Sequence, residues 1–176
     1  MPKVGHSRTL TAALTVALLA VASSAPADTP NLSAPTGDVV MTVSGAIAQT
    51  NAGATAQFDM EMLEALPSVE FTTATIWTDG PQTFRGVPLN VFLDAIEADG
   101  ETISARAIND YAVSIPVSDA VDGGPIIAYR QNGNYMSRRE KGPLWVVYPY
   151  DDSIDYRSEV VYSRSIWQLD RITVED

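Results

Sequence analysis

Chemically versatile side chains are densest between Ser137 and Asp152, "SRREKGPLWVVYPYDD". Arg138, Arg139 and Lys141 form the tightest positive cluster on an acidic chain and would suit a phosphate, a protein partner or plain solvent. Beyond the apolar run Leu144–Val147, Tyr148 and Tyr150 flank Pro149, and Asp151 and Asp152 follow. As alternating residues at a strand end the two tyrosines share a direction, toward a pocket or toward the core. The aspartates are either acceptors at a site or a solvated acidic turn. Asp155 extends the acidic cluster, but the spacing is not that of an EF-hand. A second group lies near the end of the chain, where Arg164 precedes Trp167, itself either a stacking surface or a core tryptophan. Asn109, Asp110 and Tyr111 sit at a strand entrance, as ligand contacts or as an ordinary turn. Arg85 stands before a helix, where it would bond an anion or simply decorate the turn. Trp77 and Trp145 alternate with apolar neighbours and read as core.

What is missing narrows the chemistry further. The 176-residue chain has no cysteine and one histidine, His6. Lys3 and Arg8, the apolar stretch Leu10–Ala22 and the Ala25-Pro26-Ala27 site make residues 1–27 an expected secretion signal. That stretch is shorter than the roughly 20 residues of a membrane span. Residues 28–38, rich in Pro, Ser and Thr, read as a linker, and 39–176 as one domain of an exported protein. Removing the signal leaves neither His nor Cys, which excludes Cys/His zinc sites, Ser-His-Asp or Cys-His nucleophiles and histidine base chemistry. It also leaves 9 basic against 22 acidic residues, a net charge of −13. Such a charge argues against nucleic acid or an anionic membrane as partner and favours solubility, or a partner with a basic face.

The elements that must position these residues follow from pattern. Val39–Ile47 alternates as a half-buried strand, and Thr50–Gly53 turns it. Asp59 is an expected N-cap for a helix carrying Met60, Leu63 and Leu66 that stops at Pro67. Val69–Trp77 reads as a strand. Thr83–Leu89 reads as a turn into a second helix, with Leu89, Phe92, Leu93 and Ile96 on one face. Strands follow near 103–107, 111–115 and 126–130, with Asn132-Gly133 as a hairpin turn. Leu144–Tyr148 reads as a buried strand, and the tail through Ile172 and Val174 as a last strand. The class is α+β, mostly strand, with two modest helices.

Three segments carry a resemblance: "FRGVPLNVFLDAI" (84–96), "DYAVSIPVSDAVDGGPIIAYRQNG" (110–133) and "KGPLWVVYPYDD" (141–152). Their order and spacing resemble the molybdopterin-binding domain of sulfite-oxidase-type oxidoreductases over roughly residues 69–172. That resemblance implies a sulfite-oxidase-like fold of mixed sheet with a few short helices. The molybdenum enzymes of the family hold the metal through a cysteine before the Phe-x-Gly-x-Pro-Leu turn. Here that segment, Thr72–Trp77, is "TTATIW", so molybdenum is not expected. A chain with the fold but not the cysteine resembles the small periplasmic pterin-binding proteins, whose closing segment is similar to "YSRSIWQLDRI" (162–172).

By that resemblance the ligand is a free, neopterin-like pterin and the chain has no catalysis of its own. Its partner would be the periplasmic domain of a membrane enzyme of cyclic di-GMP metabolism. The site would draw on Trp167, Arg164, Tyr150, Tyr148, Asp151, Asp152, Asp110, Tyr111, Arg85, Arg139 and Lys141. A molybdopterin-dependent oxidoreductase, or a subunit of one, is the alternative. An exported interaction domain with an empty pocket is the blander one.

Overall fold

The computed structural model describes Met1 and residues 32–176, so the expected secretion signal lies outside the described residues. The chain opens with β1 (Met41–Gly45), β2 (Ala56–Phe58), α1 (Met60–Ala65), β3 (Val69–Ala74) and β4 (Pro81–Pro88). It continues with α2 (Leu89–Ala95), β5 (Thr102–Ala107), β6 (Ala112–Pro116), β7 (Ile126–Gln131) and β8 (Asn134–Tyr135). β9 (Trp145–Val147), α3 (Glu159–Arg164) and β10 (Leu169–Glu175) complete it.

Two sheets result. The first has the order β2-β1-β10-β5-β6, with β10 parallel to β1 and antiparallel to β5. The last strand therefore sits in the middle of this sheet. Its inner face comes from plain alternation: Met41 and Val43 in β1, and Ile103, Ala105 and Ala107 in β5, are buried between more exposed neighbours. The second sheet runs β3-β4-β7-β8, with β9 also on β7. β9 is buried at every position, so alternation carries no information there. Side chains of both sheets and all three helices join one core cluster.

Most expected elements are present. Asp59 caps α1, its side chain accepting from the Met62 amide at 2.9 Å. Leu89, Phe92 and Leu93 on α2, and Ile96 at its C-cap, are buried. Asn132 and Gly133 take positive φ, the conformation of a tight hairpin turn. Three readings need correction. Thr83–Pro88 is not a turn but the end of an eight-residue strand, β4, paired on both sides. Its glycine is needed because a Cβ on Gly86 would lie 2.2 Å from the Ile127 carbonyl oxygen. The strand expected to reach Trp77 ends at Ala74. A third helix, α3, is present where two helices were expected.

The end of the linker is also tied down. The Thr36 and Gly37 amides donate to Asp59 Oδ2 at 2.7 and 2.8 Å, and Asn51 Nδ2 donates to the Ser33 carbonyl at 2.8 Å.

Candidate functional site

A cavity of about 510 Å³ opens where three connections meet. The β3–β4 loop supplies Ile76 and Trp77, and the β5–β6 hairpin supplies Ala107, Asn109 and Tyr111. The third wall is α3 and its run into β10, with Glu159, Tyr162 and Trp167 foremost, and Ser163, Ser165, Ile166 and Gln168 between and beyond them. Its volume lies within the roughly 300–1,000 Å³ usual for small-molecule sites.

Aromatic packing fixes the back of this cavity. The Trp77 ring stands edge-to-face to Trp167, Tyr162, Trp145 and Tyr150, with centroids 5.5, 5.8, 5.9 and 6.3 Å away. Such geometry stabilises a fixed arrangement through the ring quadrupoles. Lys141 Nζ lies 4.8 Å from the Trp167 centroid and 5.3 Å from that of Trp145, a cation–π cap.

The start of the Trp77 loop is held by the segment that follows β9. Asp151 accepts from the Ala74 amide at 2.7 Å and from Arg157 Nη2 at 2.8 Å, while its own amide donates to Thr73 Oγ1 at 3.1 Å. Inside the loop the Trp77 amide donates to Thr75 Oγ1 at 3.1 Å.

Which polar atoms remain for a ligand follows from counting bonds. Ser165 Oγ accepts from Tyr150 Oη and donates to the Val161 carbonyl, and Ser163 Oγ donates to the Val160 carbonyl. Asn109 Oδ1 accepts from the Tyr111 amide, leaving the Asn109 amide nitrogen as a donor. Gln168 Nε2 donates to the Arg138 carbonyl at 2.6 Å, leaving its carbonyl as an acceptor. Glu159, exposed in the first turn of α3, brings a carboxylate with no partner among the described residues. The cavity thus combines aromatic rings with one carboxylate, one amide donor, one amide acceptor and the open hydroxyls of Tyr111 and Tyr162, and no Lys or Arg lines it.

Of the residues expected at a site, Trp167 and Tyr111 line this cavity and Lys141 caps Trp167. The structure places the others elsewhere. Tyr148 and Tyr150 point into the core, where Tyr148 donates to Asp119 at 2.7 Å and Tyr150 to Ser165 at 2.6 Å. Burial, then the Asp119 bond, pushes the Tyr148 phenol far above its ordinary value. Burial pushes Tyr150 up to about 12. Both therefore act as protonated donors at neutral pH.

Arg164 pairs with Asp119 at 2.8 Å instead of facing the cavity. Asp110, at positive φ, pairs with Arg171 at 2.9 Å. Asp151 is a strut, Asp152 and Arg139 are exposed away from the lining, and Arg85 sits within β4 beside a different cavity. Sequence reasoning missed the cavity-lining positions of Trp77, Tyr162, Glu159 and Gln168. One signal was available for Glu159: Ser158 before it is a good N-cap, and its side chain accepts from the Val161 amide.

A two-sheet α+β domain with an aromatic cavity at its loop ends is thus defined by the structure alone. The chain belongs to the oxidoreductase molybdopterin binding domain family, whose profile matches residues 40–154. Among solved structures it is similar to the sulfane dehydrogenase SoxCD from Paracoccus pantotrophus, with a TM-score of 0.59 at 18% identity. That alignment covers 77% of this chain and 38% of the other, so the likeness extends to the fold. No curated protein gives a match.

The donor set does not fit a molybdenum centre. The chain contains no thiolate, and the β3–β4 loop presents Ile76 and Trp77 to the cavity. Among the described residues no cluster of His, Cys, Asp or Glu is arranged to hold a metal. A phosphate-bearing cofactor would also meet a carboxylate and no cation on the lining.

Proposed function

We propose that the cavity binds a free pterin of neopterin type and that the chain works by binding, without catalysis. The observation that carries this reading is the pairing of an indole-rich wall with a carboxylate and two amide groups left open. A pterin is flat and presents an amino group and a ring N–H beside a carbonyl. Trp167 offers a ring for one face, worth roughly 1–3 kcal/mol by analogy with nucleobases, and Trp77, inclined at 70° to it, closes the wall beside it. Glu159 would accept from the amino and ring N–H groups, a charge-assisted pair. The Asn109 amide would donate to the carbonyl. The absence of cations from the lining favours an unphosphorylated pterin over one with a phosphate tail.

On the resemblance to small periplasmic pterin-binding proteins, the bound form acts as a signal to the periplasmic domain of a membrane enzyme of cyclic di-GMP metabolism. Titration with neopterin, followed by tryptophan fluorescence, tests the binding step. We expect saturable quenching, and Trp167→Ala should weaken affinity about tenfold or more with the fold intact. Absence of binding by the parent chain would overturn the reading. Family membership favours a second reading, a molybdopterin-dependent oxidoreductase. Stoichiometric molybdenum in protein purified from its native host would establish that reading in place of ours.

A further inference from the structure

Trp167 offers the stacking face of the cavity, yet its side chain is only half-buried. Trp77 and Trp145 meet its ring at centroid distances of 5.5 and 6.2 Å, inclined at 70° and 84°. Neither therefore lies flat against it. The remaining support comes from outside the cavity, from the loop 137–142 that holds the densest positive charge of the chain.

This loop folds on itself before it touches the site. The Ser137 carbonyl accepts from the Glu140 and Gly142 amides at 3.1 and 2.9 Å, and the Ser137 hydroxyl donates to the Glu140 carboxylate at 3.2 Å. A side chain at position 142 would collide with the Met136 carbonyl, so glycine lets the loop close. Once closed, it grips the run into β10 twice. The Gln168 amide donates to the Lys141 carbonyl at 3.0 Å, and Gln168 Nε2 donates to the Arg138 carbonyl at 2.6 Å. Gln168 sits at a φ of 53°, which is costly for a residue with a Cβ. The two bonds thus hold a strained backbone directly after Trp167.

The same grip sets the Lys141 ammonium 4.8 Å from the Trp167 centroid and 5.3 Å from that of Trp145. Lys141 forms no ion pair among the described residues, and the neighbouring Glu140 is turned back to Ser137. The two indoles are therefore the partners of its charge. Lys141 does not line the cavity, so the Trp167 face that it covers is the one turned away from a ligand.

We infer that Lys141 is a positioning residue of the cavity: it touches no ligand and sets affinity by fixing the Trp167 ring, with the loop 137–142 as its mount. This rests on Trp167 being the stacking surface for a pterin. Arg139, exposed in the same loop, carries an equal charge without a ring beneath it and serves as the internal comparison.

The test compares three variants of the full chain. Lys141→Met keeps the length of the side chain without its charge, Lys141→Arg keeps a cation, and Arg139→Met removes an equal charge from the loop surface. Two readouts are taken: the Trp167 indole N–H resonance without ligand, and neopterin affinity by fluorescence titration. Lys141→Met should shift and broaden the Trp167 resonance and weaken neopterin about threefold to tenfold. Lys141→Arg should bring both back toward parent values, because a guanidinium also stacks on indole. Arg139→Met should leave both unchanged. An unshifted Trp167 resonance in Lys141→Met would overturn the clamp, whether or not neopterin binds. A shifted resonance with parent affinity would overturn its part in binding. A loss that Lys141→Arg fails to recover, or an equal loss in Arg139→Met, would overturn the cation on the ring as its cause. Failure of the parent chain to bind neopterin would remove the pterin reading, and the ligand-free resonance would still decide the clamp.

Discussion

Glu159 and Asp152 are both exposed carboxylates within eight positions of one another, and only their surroundings separate them. Glu159 lines an aromatic cavity whose serine hydroxyls are already bonded to backbone and tyrosine. Asp152 faces solvent beyond the Pro149 turn. A charge-assisted hydrogen bond contributes about 1.5–3 kcal/mol, so Glu159→Gln should weaken neopterin about tenfold to a hundredfold by calorimetry. Asp152→Asn removes the same charge and should leave affinity unchanged. Equal losses in both variants would mean that net charge, and not a positioned acceptor, governs binding. The same contrast separates Trp167, half-buried on the cavity wall, from Trp145, which is fully buried and donates through its indole to the Ser165 carbonyl.

At the scale of elements, α1 is where capping and tethering meet. It is only six residues long, too short to persist without its cap. Asp59 accepts from Gly37, Met62 and Thr36 amides, and these bonds outweigh burial to hold its carboxyl below the ordinary 3.8. The stability this adds is fully present above the unfolded carboxyl's range and is lost as pH falls through it toward the lower native value. Chemical denaturation of Asp59→Ala should therefore show a loss of about 0.5–2 kcal/mol at neutral pH, narrowing as the pH drops below 4. A loss of constant size from pH 7 to pH 3 would remove the electrostatic explanation.

This cap was legible in the sequence because an aspartate before an apolar period has few other uses. So were β1, β5 and α2, where one face is buried and the period shows. The failures share a cause. The Gly-Val-Pro of β4 reads as a turn unless it is known that β7 approaches Gly86 too closely for a side chain. α3 buries only Val161, so no apolar period marks it, and its Ser158 cap was the one signal available. Tyr148 and Tyr150 lie in a run buried at every position from Leu144, so no alternation could tell pocket from core. The residues that do face the cavity come from three connections far apart in sequence, and only the tertiary fold brings them together.

That convergence has a consequence for the molecule as a whole. The cavity takes one wall from the β3–β4 loop of the second sheet, one from the β5–β6 hairpin of the first, and one from the segment leading into β10. β10 lies at the centre of the first sheet, and the segment before it bridges to the second through the Trp145–Trp167 pairing. With one core cluster spanning both sheets, the domain should unfold in a single transition. A ligand in the cavity touches elements of both sheets at once, so its binding free energy should appear as global stability and not as local stiffening. At one hundred times its dissociation constant, a ligand bound only to the native state adds about 2.7 kcal/mol. For a domain of this size that corresponds to a rise of roughly 5–10 °C in Tm. Scanning calorimetry with neopterin should therefore show one peak moving upward as a unit, and the Trp167→Ala protein should show little movement at the same ligand concentration. Two peaks, with only one responding to neopterin, would show that the sheets unfold separately and that the cavity belongs to one of them.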